Sequence, residues 1–477
     1  MIGVRLAGVR CGWLAAGAVW CLAAVGSSVA LAEDTDSELV EQGRYVAIAG
    51  DCGGCHSRPD GGKAFAGGYA IISPVGTIYS TNITSSKIAG VGAYSEVQFS
   101  RALREGVRPD GTHLYPAMPY TAYAKLSEAD VHALYVYFTR SVPAVDEHPP
   151  VTRLPFPFNL RMSMSIWNTM FLSAARFTPD THRSVEWNRG AYLVEALEHC
   201  GACHTPRNAL MAEQSSQQFA GTRVGGWYAP NITSDPVSGI GAWTKDELVQ
   251  YLRTGTLHGK AQAAGGMAEA VGDSLQYLSS EDLSALATYL LAIPPIRDSS
   301  DSRARDAWGA PVKREAELRG RPTTAGSGQP EGSALYSGNC ASCHQPTGAG
   351  TTDHGFPSLF HNTATGARHA DNLISTILFG VDREVGSSHA FMPRFDAASY
   401  VQPLSDTEVA TLANFVLHEF GDPTVHVTLD DVAAARSRGS AEWIVQVTEG
   451  LLIFAVLAFA MFGLWLLQRR RRRRGLS

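Results

Sequence analysis

Three segments of this chain repeat one arrangement of reactive side chains: Cys52-Gly53-Gly54-Cys55-His56, Cys200-Gly201-Ala202-Cys203-His204 and Cys340-Ala341-Ser342-Cys343-His344. C-x-x-C-H is the attachment signature of a c-type haem, in which two thiols form thioethers with the porphyrin and the adjacent imidazole reaches the iron. A zinc or dithiol reading of C-x-x-C does not require His at the next position, and zinc would need further ligands nearby. The sequence thus predicts three covalently bound haem c groups, on Cys52 and Cys55, Cys200 and Cys203, and Cys340 and Cys343, with His56, His204 and His344 as proximal ligands. Of the 8 cysteines, the remaining two, Cys11 and Cys21, lie in an N-terminal segment expected to be removed. No thiol is then left for a disulfide framework.

The iron needs a ligand on its other face, and a methionine thioether favours the reduced state. Met118, in Tyr115-Pro116-Ala117-Met118-Pro119-Tyr120, lies 62 residues after His56, and Met267 lies 63 after His204. That near-equal spacing favours Met267 over the neighbouring His258. Met392, before Pro393, is the third distal candidate, with His389 as its rival. Methionines more often fill gaps in a core, but only these three fall at equivalent places in the repeats.

Around each motif the chain must supply a scaffold. Ser80-Thr81-Asn82-Ile83-Thr84 and Gly90-Val91-Gly92-Ala93-Tyr94 return as Ala229-Pro230-Asn231-Ile232-Thr233 and Gly239-Ile240-Gly241-Ala242-Trp243. The third copy diverges. Asn82, Asn231, Arg104 and Arg253 either hold haem propionates or serve the fold alone. Each unit closes on a capped amphipathic helix, starting at Ser127, Ser279 and Ser405, each with an acid three positions on. A shorter helix around Tyr45, Tyr192 or Tyr336 precedes each motif. Helix, motif, loop and closing helix resembles the small cytochrome c fold.

Length supports several units, since 477 residues correspond to about three domains at ~150 residues each. The expected division is a signal peptide at 1–32, cytochrome c domains at 33–145, 188–296 and 332–422, and linkers at 146–187 and 297–331. A transmembrane helix at 443–467 and an Arg-rich cytoplasmic tail at 468–477 complete it. The fold class expected is mainly α, three tandem cytochrome c domains with a C-terminal transmembrane helix. Arg5 and Arg10, the apolar run from Cys11 to Val25 and Ala30-Leu31-Ala32 read as a cleavable export signal. Gly450 to Leu467 is an apolar run of 18 residues followed by arginines Arg469 to Arg474. As a helix it would cover ~27 Å, close to the hydrocarbon thickness, with the arginines held in the cytoplasm. Setting those arginines aside with Arg5 and Arg10 leaves 31 basic against 45 acidic residues, a net charge of −14. A nucleic-acid partner is therefore not expected.

With these features together, the chain resembles the membrane-bound triheme cytochrome c subunits of periplasmic dehydrogenases, such as quinoprotein alcohol dehydrogenase and flavin-dependent gluconate 2-dehydrogenase. The marks are the three C-x-x-C-H motifs, Tyr115 to Tyr120, the doubled Asn-Ile-Thr with Gly-x-Gly, Gly266-Met267-Ala268-Glu269-Ala270-Val271 and Leu154-Pro155-Phe156-Pro157. The resemblance implies a PQQ- or FAD-dependent catalytic subunit oxidising an alcohol, aldehyde or sugar acid. It also implies ubiquinone as acceptor and a place on the periplasmic side of the inner membrane. The competing reading is a membrane-anchored cytochrome that feeds a terminal oxidase or reductase. No Rossmann fingerprint, P-loop or nucleophile elbow places substrate chemistry in this chain.

Overall fold

The computed structural model describes residues 36–313, 331–353 and 355–438, with scattered positions between 444 and 465. In each of three units a leading helix crosses a closing helix. The leading helices are 36–49, Val185–Tyr192 and Gly332–Asn339, and the closing helices are Glu128–Val136, Ser280–Leu290 and Asp406–Phe420. The first two pairs cross at a glycine. A Cβ on Gly43 would lie 2.1 Å from the Ala133 carbonyl oxygen, and one on Gly190 2.0 Å from that of Ala285. Each closing helix begins as its sequence demands: the hydroxyls of Ser127, Ser279 and Ser405 accept from the backbone N–H groups of Asp130, Asp282 and Glu408. Among the described residues four two-stranded antiparallel hairpins lie between the helices, one in unit one, two in unit two and one in unit three.

The expected architecture needs correction in two respects. Units one and two do not have separate interiors. Val46, Leu134 and Phe138 of the first join Leu193, Leu252 and Leu286 of the second in one hydrophobic core, while unit three packs its own around Tyr336, Leu378 and Phe420. That core continues past residue 422 into the helix Leu429–Arg436, through Val432 and Ala435. The second correction concerns the membrane. Among the described residues no helix is long and apolar enough to cross a bilayer. Most of the stretch from Gly450 to Leu467, together with the residues 1–32 and 468–477, lies outside the described set.

The shared core has a reason in the tyrosines that precede the motifs. Tyr45 of unit one donates to Asp282 Oδ2 (2.6 Å) and accepts from the Ser279 N–H (3.1 Å), both at the start of unit two's closing helix. Tyr192 of unit two does the same in return, donating to Asp130 Oδ2 and accepting from the Ser127 N–H (3.1 Å) of unit one. Each unit thus helps to cap the other's closing helix, an exchange related by pseudo-twofold symmetry. Arg189 adds a two-pronged pair to Asp282 at 2.7 Å. Burial alone would raise the Asp282 carboxyl, but hydrogen bonds from Arg189 and Tyr45 outweigh it and hold it below the ordinary carboxylate range. Replacing Tyr45 or Tyr192 with Phe should each lower stability by about 1–2 kcal/mol, because each leaves a partly buried carboxylate short of a donor. Arg189 pairs with Asp282 and lies over the Tyr192 ring, so the two losses should depart from additivity in a double variant; thermal denaturation of the three variants measures this.

The linker is equally integrated. Its helix Ser163–Phe171 buries Trp167 against Tyr120 of unit one and Ala212 of unit two, and the indole N–H donates to the Leu210 carbonyl at 2.8 Å. Unit three leans on unit two through Arg223–Asp371, Asn372 with the Tyr228 backbone and Ser375 with the Gly226 carbonyl. Among the described residues no hydrogen bond or ion pair passes directly from unit one to unit three, so unit two stands between them.

Candidate functional site

Each C-x-x-C-H segment is a single helical turn: Cys52–His56, Gly201–His204 with Cys200 before it, and Ala341–His344 with Cys340 before it. The turn places both thiols and the imidazole on consecutive corners of the backbone. The six cysteines are free, as thioether formation requires, and none is tied up in a disulfide. Burial pushes the thiols of Cys52, Cys55 and Cys340 up to about 12, which keeps them protonated and unreactive toward one another.

The three imidazoles are oriented identically. His56 Nδ1 lies 2.6 Å from the Thr81 carbonyl oxygen, His204 Nδ1 2.6 Å from that of Pro230, and His344 Nδ1 2.9 Å from that of Pro357. A carbonyl can only accept, so Nδ1 carries the proton and Nε2 keeps its lone pair. Burial lowers all three below the ordinary histidine range, His204 to about 4, and so holds the rings in the neutral form that ligates a metal. This is the second-shell arrangement that fixes a ligating histidine.

The carbonyls are held by a feature that motif reading did not single out. Gly67, Gly221 and Gly350 donate their N–H groups to the carbonyls of His56, His204 and His344 at 2.7, 2.8 and 3.0 Å. All three have left-handed backbone, with φ of 72°, 89° and 67°. A Cβ at each would press within 2.4, 2.6 and 2.2 Å of the backbone at Thr81, Asn231 and Phe356, the very loops that supply the acceptor carbonyls. Only glycine allows this approach. The signal was present in the sequence, as a glycine 11, 17 or 6 positions after each histidine, but that spacing is irregular and carries no period.

Asn82, Asn231, Arg104 and Arg253 prove to serve the fold. Asn82 Nδ2 donates to the Val145 and Glu147 carbonyls, and its Oδ1 accepts from the N–H and hydroxyl of Thr84. Asn231 repeats this with Ile296 and Thr233. Both therefore pin the proximal loop to the chain beyond the closing helix. Arg104 is 3% exposed and spans the Glu128 carboxylate and the Leu126 carbonyl, while Arg253 reaches Ser280 Oγ at 3.0 Å.

On the distal side, Met118 lines one cavity of about 2170 Å³ together with Cys52, Cys55 and His56, and Cys203 of unit two borders the same space. Met267 is the second residue of the helix Gly266–Asp273 and packs, half-buried, on the same core as Cys200. Met392 ends the strand Ser388–Met392 and packs on the same core as Cys340. The rival histidines face outward: His258 is exposed, and His389 is exposed with Nε2 2.8 Å from Asp382 Oδ1.

The first and second sites are neighbours. Tyr123 bridges them, its hydroxyl donating to the Gly50 carbonyl at 2.7 Å and its ring standing edge-on to His199 at 5.6 Å. Between them lie Asp51, Glu198, Glu269 and Asp273. Burial, with the negative charges of Asp273 and Glu269, pushes Asp51 up to about 8, and burial also raises Glu198, Glu269 and Asp273 above the ordinary carboxylate range. Asp51 at least is therefore largely protonated at neutral pH.

The structure thus offers three free thiol pairs, each with a neutral, pre-oriented imidazole and a thioether on the same core. That donor set fits haem c. Comparison with known proteins agrees. The cytochrome c family model matches residues 330–419. Over 451 residues the chain is 45% identical to the fructose dehydrogenase cytochrome subunit of Gluconobacter japonicus, covering 91% of this chain and 92% of that one. It is 36% identical to the gluconate 2-dehydrogenase cytochrome c subunit of Pantoea cypripedii, covering 86% and 92%. It is 34% identical to the cytochrome c subunit of the quinone-dependent alcohol dehydrogenase of Gluconacetobacter polyoxogenes, covering 87% and 88%. The chain belongs to this family of dehydrogenase cytochrome subunits, and it is an electron-transfer subunit that carries covalent haem c and works with a catalytic dehydrogenase.

Proposed function

We propose that the chain binds three haems c, one in each of the units 33–145, 188–296 and 332–422, and passes electrons from a sugar- or alcohol-oxidising dehydrogenase to ubiquinone. The reaction would take place at the periplasmic face of the inner membrane. The observation that carries the reading is the threefold recurrence of a histidine whose Nδ1 is committed to a backbone carbonyl beside a left-handed glycine. When bound, haem c supplies one-electron chemistry whose potential the axial ligands set. The chain's own contribution is to anchor the group through the six cysteines and to present Nε2 of His56, His204 and His344. Met118, Met267 and Met392 are the proposed distal ligands. The relatives' names point to hydroxyl oxidation by the catalytic partner, and the 45% identity to the fructose dehydrogenase subunit favours a sugar over a simple alcohol.

Replacing Met118, Met267 or Met392 with Ala should open one iron of the holoprotein to carbon monoxide and lower its potential, because a sulfur ligand that favours the ferrous state is removed. If Met267→Ala leaves every haem unreactive toward carbon monoxide while His258→Ala does not, the ligand in unit two is His258. Detergent extraction of the complex, followed by a count of haem per chain and a ubiquinone reductase assay with fructose, gluconate and ethanol, tests the rest. Fewer than three haems, or reduction of a terminal oxidase without quinone, would count against this function.

A further inference from the structure

Two arginines near unit two have no direct ion-pair partner among the described residues. Arg383, on unit three's hairpin strand Val381–Val385, is 4% exposed and reaches into unit two. Its guanidinium donates to the Ala263 carbonyl, to Thr256 Oγ1 at 2.7 Å and to Gln262 Oε1 at 3.4 Å, while Nε is buried with no acceptor. Arg305, in the segment that joins units two and three, makes one long side-chain hydrogen bond, from Nη2 to the Asn231 carbonyl at 3.4 Å. Neither forms an ion pair among the described residues. Burial lowers both guanidiniums, and the charges of Asp301 and Asp306 offset this for Arg305 only in part.

Their placement brackets the second site. Arg305 sits beside the loop whose Pro230 carbonyl orients His204, and its charge reaches that imidazole. Arg383 grips the 256–263 turn that leads into Met267. Tyr251 feels both charges, and its hydroxyl has no hydrogen-bond partner among the described residues. A buried cation without an anion is costly, and a body this rich in acids had carboxylates to offer. None lies in direct ion-pair contact with either guanidinium among the described residues, although Asp301 and Asp306 act on Arg305 from farther away. That leaves the direct partner of both groups to an anion the chain does not encode.

We propose that Arg305 and Arg383 are the counter-ions of the second haem's propionates, so that unit three and the segment before it complete the haem site of unit two. The inference rests on the reading that Cys200 to His204 binds haem. It couples the charge state of unit two's site to the docking of unit three.

Potentiometric titration of the purified, detergent-solubilised holoprotein tests it, with the wave of the second haem identified as the one that Met267→His displaces. Arg305→Gln and Arg383→Gln should each shift the reduction equilibrium of that wave about tenfold toward the oxidised form, about 59 mV for one electron, because a positive charge that favours the ferrous state is gone. Arg383→Lys should retain most of the wild-type potential. An unmoved second wave in Arg305→Gln, or movement only of the first or third, overturns the proposal. So does equal loss of thermal stability in Arg383→Gln and Arg383→Lys with no change in potential, which would make Arg383 a mechanical strut. If Arg383→Gln does not accumulate, Arg305→Gln decides alone. Mass analysis of the Cys200–Cys203 peptide separates the two levels: no haem there defeats the underlying reading, whereas haem with an unmoved wave defeats this inference only.

Discussion

Gly190→Val should cost the protein its first and second haems together while the third remains. The side chain would start 2.0 Å from the Ala285 carbonyl oxygen and 2.8 Å from Tyr289 Cβ, so the leading helix of unit two could not approach its closing helix. Backbone against backbone has nothing to yield. Overpacking of this kind costs about 1–3 kcal/mol where side chains can move and more where they cannot, against a total stability of about 5–15 kcal/mol. Because Val46 and Leu134 of unit one share a core with Leu193 and Leu286 of unit two, the damage should spread to the first site. Unit three has its own core around Tyr336 and Phe420 and should still acquire haem. Gly332→Ala is the control: its Cβ would meet the Phe415 side chain at 2.6 Å and backbone only at 3.1 Å, so a smaller loss confined to unit three is expected. Site-resolved haem content by peptide mass, with thermal denaturation, reads both. Independent loss of the second haem alone would mean that the shared core is not cooperative.

The second large effect is electrical. If the chain carries three haems and reduces quinone as proposed, Cys200→Ala with Cys203→Ala should leave two covalent haems and reduce electron delivery from the dehydrogenase to quinone by about 10–100-fold or more, the range seen when even the periphery of a metal centre is disturbed. The reason is position. Unit two touches unit one through the exchanged tyrosines and unit three through Arg383 and Ser375, and no hydrogen bond or ion pair among the described residues bypasses it. The remaining two haems should still be reduced by dithionite. Undiminished quinone reduction by this variant would show that electrons do not need the central unit.

Local chemistry was legible in the chain. The thiol and imidazole positions follow from a covalent geometry that spans five residues, and the capped closing helices follow from a hydroxyl and an acid three positions apart, so both survive as patterns in one dimension. His389, the rival of Met392, is exposed and faces Asp382, which by itself leaves the choice of distal ligand to experiment. The roles of Asn82, Asn231, Arg104 and Arg253 were open, because a polar residue near a motif reads the same whether it holds a cofactor or a loop. In the fold the asparagines pin the loop and the arginines reach the start of the closing helices, through partners between 2 and 65 residues away.

What the sequence determined by itself was the chemistry of the sites: three thiol pairs, three imidazoles, and a scaffold repeated well enough in units one and two to align their methionines. What only the tertiary structure decided was how the repeats combine. Division into three domains followed from chain length and the count of motifs, but order along the chain says nothing of which faces meet. Tyr45 and Asp282 are 237 residues apart, and Arg383 and Ala263 are 120 apart. Tyr45 and Tyr192 look like part of their own units' cores until the fold shows each hydroxyl at the start of the neighbour's closing helix, whereas Tyr336 donates to Gln345 within its own unit. Burial and hydrogen bonding act through space, so the shared core of units one and two and the uncompensated arginines beside unit two arise only once the folded chain sets those surfaces together.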